Sequence, residues 1–151
     1  MRGEGSCMSS EARASTPPSP QQNEIGQPSL LPFSPPNPRR GEIWDVNWSP
    51  GRGAEQKGTR PALIIQNDRG NASPTYPLTI VASMSRTERE LPLHVRIAPT
   101  EENGLTDYTD VKCEQLMTIE KSRLMRRRGS ITGEEMTRVD AALKMSLSLL
   151  P

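Results

Sequence analysis

The chain has 151 residues, with 19 Lys/Arg against 18 Asp/Glu, one histidine and two cysteines. That length suits one domain, and the near-neutral balance gives no net-charge argument for a nucleic-acid partner, so any anionic ligand must be held by local clusters. A single histidine excludes a two-histidine acid–base pair within one chain and a His-rich or Cys-rich metal site, while Cys7 and Cys113 form no disulfide framework and suit a reducing cytoplasm.

Residues 1–38 carry eight of the fifteen prolines and seven serines, with Phe33 as their sole aromatic. Such a stretch buries too little apolar surface to offset the entropy of ordering it, so a disordered tail is expected, in part polyproline II across "PPSP" and "FSPPNP". Its longest apolar run, "LLPF", is far too short for a signal core or a membrane span, and no membrane association is expected. Glu4, Glu11 and Glu24 argue against a transit peptide. The folded domain is expected over residues 39–151, a size at which one compact core is ordinary.

Within that domain, "EIWDVNW" alternates Trp44, Val46 and Trp48 against Asp45 and Asn47, the pattern of a half-buried strand. A polar loop, Ser49 to Thr59, follows and brings Arg52, Lys57 and Arg60 together. Its "GRG…AEQKG" has the spacing of neither a P-loop nor a dinucleotide fingerprint. "RPALIIQN" reads as a central strand, with Pro61 tolerable only at its first position. "NASPTYP" is turn-rich, and "LTIVASMS" gives a third strand. In "LPLHVRI", a fourth strand, Leu91, Leu93, Val95 and Ile97 share one face and His94 and Arg96 the other. An exposed strand histidine and a functional one are both open for His94.

"NGLTDYTD" reads as a loop, "DVKCEQL" as a fifth strand and "TIEKSRLMR" as a short helical turn. Arg123 and Arg126 to Arg128 read as a solvated run near a helix end. Finally "TGEEMTRVDAALKMSLSLL" carries a capping box, Thr132 with Glu135. Met136, Val139, Leu143, Leu147 and Leu150 fall at helical spacing, a packing stripe. Five short antiparallel strands and a terminal amphipathic helix make a mainly β fold with a C-terminal helix, a small, partly open β-barrel with a polar loop at one rim.

The stretch "RRGEIWDVNWSPGRGAEQKGTRPALIIQND" resembles the opening of the MazF/PemK family of toxin endoribonucleases. The shared features are "RGEIW", a "G-x-EQ-x-G-x-RP" loop and "QND" closing the second strand. The similarity continues through "LPLHV" and "EQLMTI-x-K-x-RL" into the final helix, covering residues 39–150 and nothing of the tail. It implies an SH3-like barrel of the MazF/CcdB plasmid-toxin type, a homodimer, and metal-independent cleavage of single-stranded RNA with no cofactor. It also implies a cytoplasmic site of action and a cognate antitoxin whose disordered segment blocks the RNA site.

Matched position by position, the resemblance makes Arg60 the catalytic arginine, with a strand-edge salt bridge as the structural alternative. Ser85 stands where relatives commonly carry threonine. Glu55 matches an acidic loop position, and Lys112 and Glu114 a strand position where some relatives carry an acting Arg and Asp. The implied catalytic set is Arg60, Ser85, Glu55 and Glu114; RNA binding falls to Arg52, Lys57, Arg86, Lys112 and His94, with Arg126 to Arg128 as further backbone contacts. The chemistry agrees, since attack by the neighbouring 2′-hydroxyl needs in-line positioning, charge stabilisation on phosphoryl oxygens and proton transfer. A guanidinium meets the second need with a permanent charge and a two-pronged donor. A related toxin branch uses this barrel to bind DNA gyrase, and an inactive binding module is a further alternative; incubation with RNA in EDTA separates them.

Overall fold

A computed structural model describes residues 37–49, 52, 53 and 57–149. These fall within one compact unit, Pro35–Pro151. Of the expected tail only Asn37 and Pro38 are included, and Pro38 is buried; Glu55 and Leu150 lie outside the described residues.

The chain forms β1 (Glu42–Asn47), β2 (Thr59–Ile64), a short helix α1 (Asp68–Ala72), β3 (Leu78–Ser85), β4 (His94–Ile97), β5 (Thr109–Glu120), a 3-10 turn (Lys121–Arg123), β6 (Leu124–Ser130) and α2 (Gly133–Ser146). The strands pair antiparallel in the order β4-β5-β3-β2-β1-β6. Among the described residues no strand pairing joins the edge strands β4 and β6, so the barrel is open there, as the sequence implies.

The loop between β4 and β5 spans that opening. Ser130 donates its N–H to the Glu102 carbonyl at 2.9 Å. Buried Asn103 holds the loop in shape: its Oδ1 accepts from the Thr100 and Leu105 amides at 3.0 and 2.9 Å, and its Nδ2 donates to Ala98 O at 2.8 Å. Loop and strand approach so closely that only glycine fits on either side. A Cβ on Gly104, whose φ is +67°, would sit 2.3 Å from Arg128 O, and one on Gly129 would sit 2.1 Å from Glu102 O.

Alternation on β1 puts Trp44, Val46 and Trp48 into one apolar cluster with Ala62, Ile64, Val81, Ile119 and Leu124. On the opposite face Asn47 is exposed and Asp45 partly so, as a half-buried strand leaves them, but the face is not polar throughout. Ile43 joins a second cluster with Leu63, Ala82, Met84, Val111 and Val139, which α2 covers. Strand β5 serves both clusters, Val111 and Cys113 entering one and Ile119 the other. Its register against β3 breaks between Ala82 and Met84, an irregularity of the kind that bends and re-aims a strand.

The structure departs from the sequence reading at several elements. Among the described residues six strands form, not five, because "LMRRRGS" is β6. Its arginine run lies on a strand and not near a helix end. Arg126 and Arg127 are exposed, as a solvated run would be, but Arg126 and Arg128 approach Asp45 at 3.6 and 2.7 Å, and Arg127 approaches Glu42 at 3.1 Å. Those counter-charges lie on β1, across the ladder. The expected helical turn is confined to Lys121–Arg123, with β5 before it and β6 after it. Helix α1 takes the start of the turn region, capped by Asn67, whose Oδ1 accepts from Gly70 N at 2.8 Å. The fourth strand begins only at His94, and Leu91 is left 46% exposed.

Two anchoring details follow from this arrangement. Lys121 is buried, its Nζ donating to Gly70 O at 3.4 Å and Ser73 O at 3.2 Å where α1 ends; burial holds its amine below the ordinary lysine value. The capping box of α2 forms both ways, Glu135 N to Thr132 Oγ1 at 3.1 Å and Thr132 N to Glu135 Oε1 at 2.9 Å. Val139 and Ala142 are buried beneath α2, with Met136 and Leu143 packed beside them, whereas Leu147 lies past the last turn and is exposed.

Candidate active site

A groove of about 480 Å³ opens at the rim of the sheet. Its walls are the start of β2 (Thr59, Arg60, Pro61), the end of β3 and the turn after it (Met84 to Thr87), Leu105, Thr106 and Thr109 where the bridging loop enters β5, and Arg128 of β6. The register explains the meeting of Arg60 and Ser85. Ala62 pairs with Ser83, and in an antiparallel pair a step of two residues in opposite directions keeps both side chains on that face. Twenty-five positions apart in the chain, the two arrive together at the open end of β2 and β3.

The side chains are held to different degrees. The Arg60 carbonyl accepts from Trp48 Nε1 at 3.3 Å, so its backbone is tied to the core. Its guanidinium has no hydrogen-bond or ion-pair partner among the described residues, which removes the strand-edge salt bridge from that set. Ser85 Oγ accepts from the Thr87 amide at 3.1 Å, which fixes the turn and leaves the hydroxyl proton to donate. Arg86 pairs with Asp107 at 3.0 Å in an exposed contact, and such contacts exchange readily for another anion. Arg128 donates Nε to Asp45 at 2.7 Å. The described lining thus carries three arginines and no carboxylate.

The other sequence-expected residues lie elsewhere. Arg52 and Lys57 are exposed on the loop leading to Arg60. His94, Lys112 and Glu114 form a separate group on β4 and β5, with His94 opposite Lys112, and none of them lines the groove. The exposed strand histidine is not what forms. The His94 side chain is only 4% exposed, with Nε2 2.7 Å from Glu114 Oε1 and Nδ1 3.8 Å from Asp110 Oδ2. Buried Asp110 also accepts from Arg96 Nη1 at 2.9 Å and from the Arg89 amide at 3.3 Å.

Cys113 is buried, and burial above all, with Glu114 and Asp140 nearby, pushes its thiol up to about 12, so it is no nucleophile. Among the described residues no cluster of His, Cys, Asp and Glu could hold a metal. Sequence reasoning left out Thr59, Thr87, Thr106 and Thr109, which carry no local signal. Arg128 was hidden within a run of three arginines that only the strand geometry separates.

Comparison with known proteins follows the same outline. Residues 39–147 match the family described as PemK-like, MazF-like toxin of type II toxin–antitoxin system. Endoribonuclease MazF9 of Mycobacterium tuberculosis is 36% identical over 115 residues, covering 74% of this chain and 97% of that protein. Endoribonuclease EndoA of Bacillus subtilis is 37% identical over 113 residues, covering 74% of this chain and 96% of its own length. Among solved structures, a mycobacterial endoribonuclease in complex with its cognate antitoxin superposes with a TM-score of 0.62 at 24% identity, over 76% of this chain and 98% of that one. MazF from Deinococcus radiodurans gives 0.63 at 21% identity, over 74% and 97%. With the open six-stranded sheet, its terminal helix and the arginine-lined rim all in place, the chain belongs to the PemK-like, MazF-like toxin family of type II toxin–antitoxin systems.

Proposed function

We propose that this protein is the toxin of a type II toxin–antitoxin pair and an endoribonuclease that cuts single-stranded RNA, including mRNA, in the cytoplasm. The observation that carries the reading is the Arg60 guanidinium, unpartnered among the described residues at a groove it shares with Ser85, Arg86 and Arg128. A lining of guanidinium and hydroxyl groups is the opposite of the oxygen cage a hard divalent cation requires. It suits a phosphodiester whose own 2′-hydroxyl is the nucleophile. The 2′-oxygen bonds to phosphorus, the bond to the 5′-oxygen breaks, and the products are a 2′,3′-cyclic phosphate and a 5′-hydroxyl. The proton leaving the 2′-hydroxyl goes to a base, and one is returned to the departing 5′-oxygen.

Arg60 forks onto the non-bridging oxygens as charge builds there, and Ser85 donates a further hydrogen bond. Arg86 and Arg128, with Arg52 and Lys57 on the approaching loop, hold flanking phosphates. Glu55 precedes Arg60 on that loop and is proposed to accept the proton. Glu114 is engaged by His94 outside the groove lining, so with Lys112 it is assigned a supporting place. The functional unit is proposed to be a homodimer restrained by a cognate antitoxin.

The test is cleavage of a long RNA, with secondary structure suppressed, in the presence of EDTA. Cuts ending in 2′,3′-cyclic phosphate are expected, and none from the Arg60→Ala protein on the same time scale. A folded parent that leaves RNA whole while inhibiting gyrase would replace the nuclease reading with the gyrase-poison one. Light scattering that finds a monomer would remove the dimer.

A further inference from the structure

Tyr108 stands between Thr106 and Thr109, both of which line the groove, yet it is 54% exposed. Both tryptophans are buried in the core, and among the described residues the other exposed aromatic is Tyr76. Tyr76 precedes the far end of β3 from Ser85, roughly 20 Å away at about 3.3 Å per residue. Tyr108 is therefore the exposed ring beside the site.

One face of that ring is occupied. The Arg96 guanidinium carbon lies 5.4 Å from its centroid. Arg96 is itself fixed by Asp110 at 2.9 Å and Glu88 at 3.6 Å, so the cation–π contact is set before any ligand arrives. The backbone beside the ring is held too, by Thr109 Oγ1 donating to Asp107 O at 2.9 Å. A ring backed by a guanidinium and still half-exposed turns its remaining face to solvent. Nothing in the groove's polar walls explains why a tyrosine should be held so firmly there.

We infer that the open face of Tyr108 is a stacking subsite for an unpaired nucleobase next to the phosphate bound at Arg60, an inference that rests on the RNA reading of the groove. A base has a π-face whatever its identity, so this subsite adds affinity and positions the strand without choosing the base. Because ring and backing cation are ordered in advance, little is lost in forming the stack.

The experiment measures binding of the full chain to a mixed-sequence single strand carrying 2′-O-methyl groups, which lacks the nucleophile and stays intact. Tyr108→Ala should weaken binding by about 10- to 100-fold, the usual effect of removing an aromatic from one stacked base. Tyr108→Phe should recover most of that loss. On a strand of equal length with abasic sites in place of its bases, parent and Tyr108→Ala should bind alike. An unchanged affinity in Tyr108→Ala, or an equal loss on both strands, overturns the subsite while leaving the nuclease intact. A parent that neither binds nor cuts RNA overturns the reading of the groove, and the subsite falls with it.

Discussion

Arg60 and Cys113 show how differently the fold treats two reactive side chains. Arg60 is held by its backbone and left open at its charge, so Arg60→Ala should remove transition-state stabilisation while sparing stability. The expected loss in kcat is about 10²–10³, or about 3–4 kcal/mol, as for other preorganised donors to a developing anion. Arg60→Lys should restore only part, since the ammonium keeps the charge and loses the fork. Ser85→Ala should cost less than Arg60→Ala, and Ser85→Thr should be tolerated; kcat on unstructured RNA with a melting curve for each variant checks this order. Cys113 is the reverse case. Its thiol, raised from 9.0 to about 12 in the fold, should resist alkylation at neutral pH in a Cys7→Ser protein until denaturant is added. The sign of its linkage is fixed: above about pH 9 the unfolded chain releases a proton that the folded one retains, so stability falls as pH rises toward 12. Cys113→Ala, which cannot ionise, should lose less over that range in urea unfolding.

At the level of elements, the groove depends on a contact between two backbones. Gly129 in β6 lies under the bridging loop, and a Cβ there would meet the Glu102 carbonyl at 2.1 Å. Backbone cannot swing aside as a side chain can. Gly129→Ala should therefore cost about 1–3 kcal/mol in urea unfolding, the range for overpacking, and occasionally more. It should also lower cleavage, because Leu105, Thr106 and Arg128 on the two sides of this contact all line the groove. Neither glycine is singled out by the sequence, where each sits among polar residues. What the sequence does show are elements with their own period: the alternation of β1, the short apolar run of β2, and α2 with its capping box. β6 escapes because its arginines break the alternation and find their carboxylates only on β1. His94 escapes for a similar reason. Its face can be read from the alternation of β4, but its burial depends on Glu114 and Asp110, many positions later. Arg60 is visible through the resemblance, whereas the threonines and Arg128 that complete the groove are brought in by register and by the loop.

For the whole molecule, the net charge of +1 means that attraction to RNA comes from the groove and its loop, with little pull from the global field. Three arginines line the groove among the described residues, and each phosphate neutralised on a single strand adds roughly 0.7 to the dependence of log affinity on log salt. A slope of about 2 is expected from the groove alone, falling by roughly 0.7 in Arg60→Ala; an unchanged slope would mean that Arg60 touches no phosphate. The unclosed sheet has one more consequence. A strand at the edge of a sheet offers unpaired amides to any extended segment that drifts past, including one from another copy. At the end of β6 the Ser130 amide is already engaged by Glu102 of the bridging loop, and Arg126 and Arg127 crowd the rest of that strand with charge. Lifting the loop would undo that protection. Gly129→Ala is thus expected to scatter light well beyond a dimer when diluted out of urea, while the parent stays clear: the wall of the groove also keeps the sheet from growing onto its neighbours.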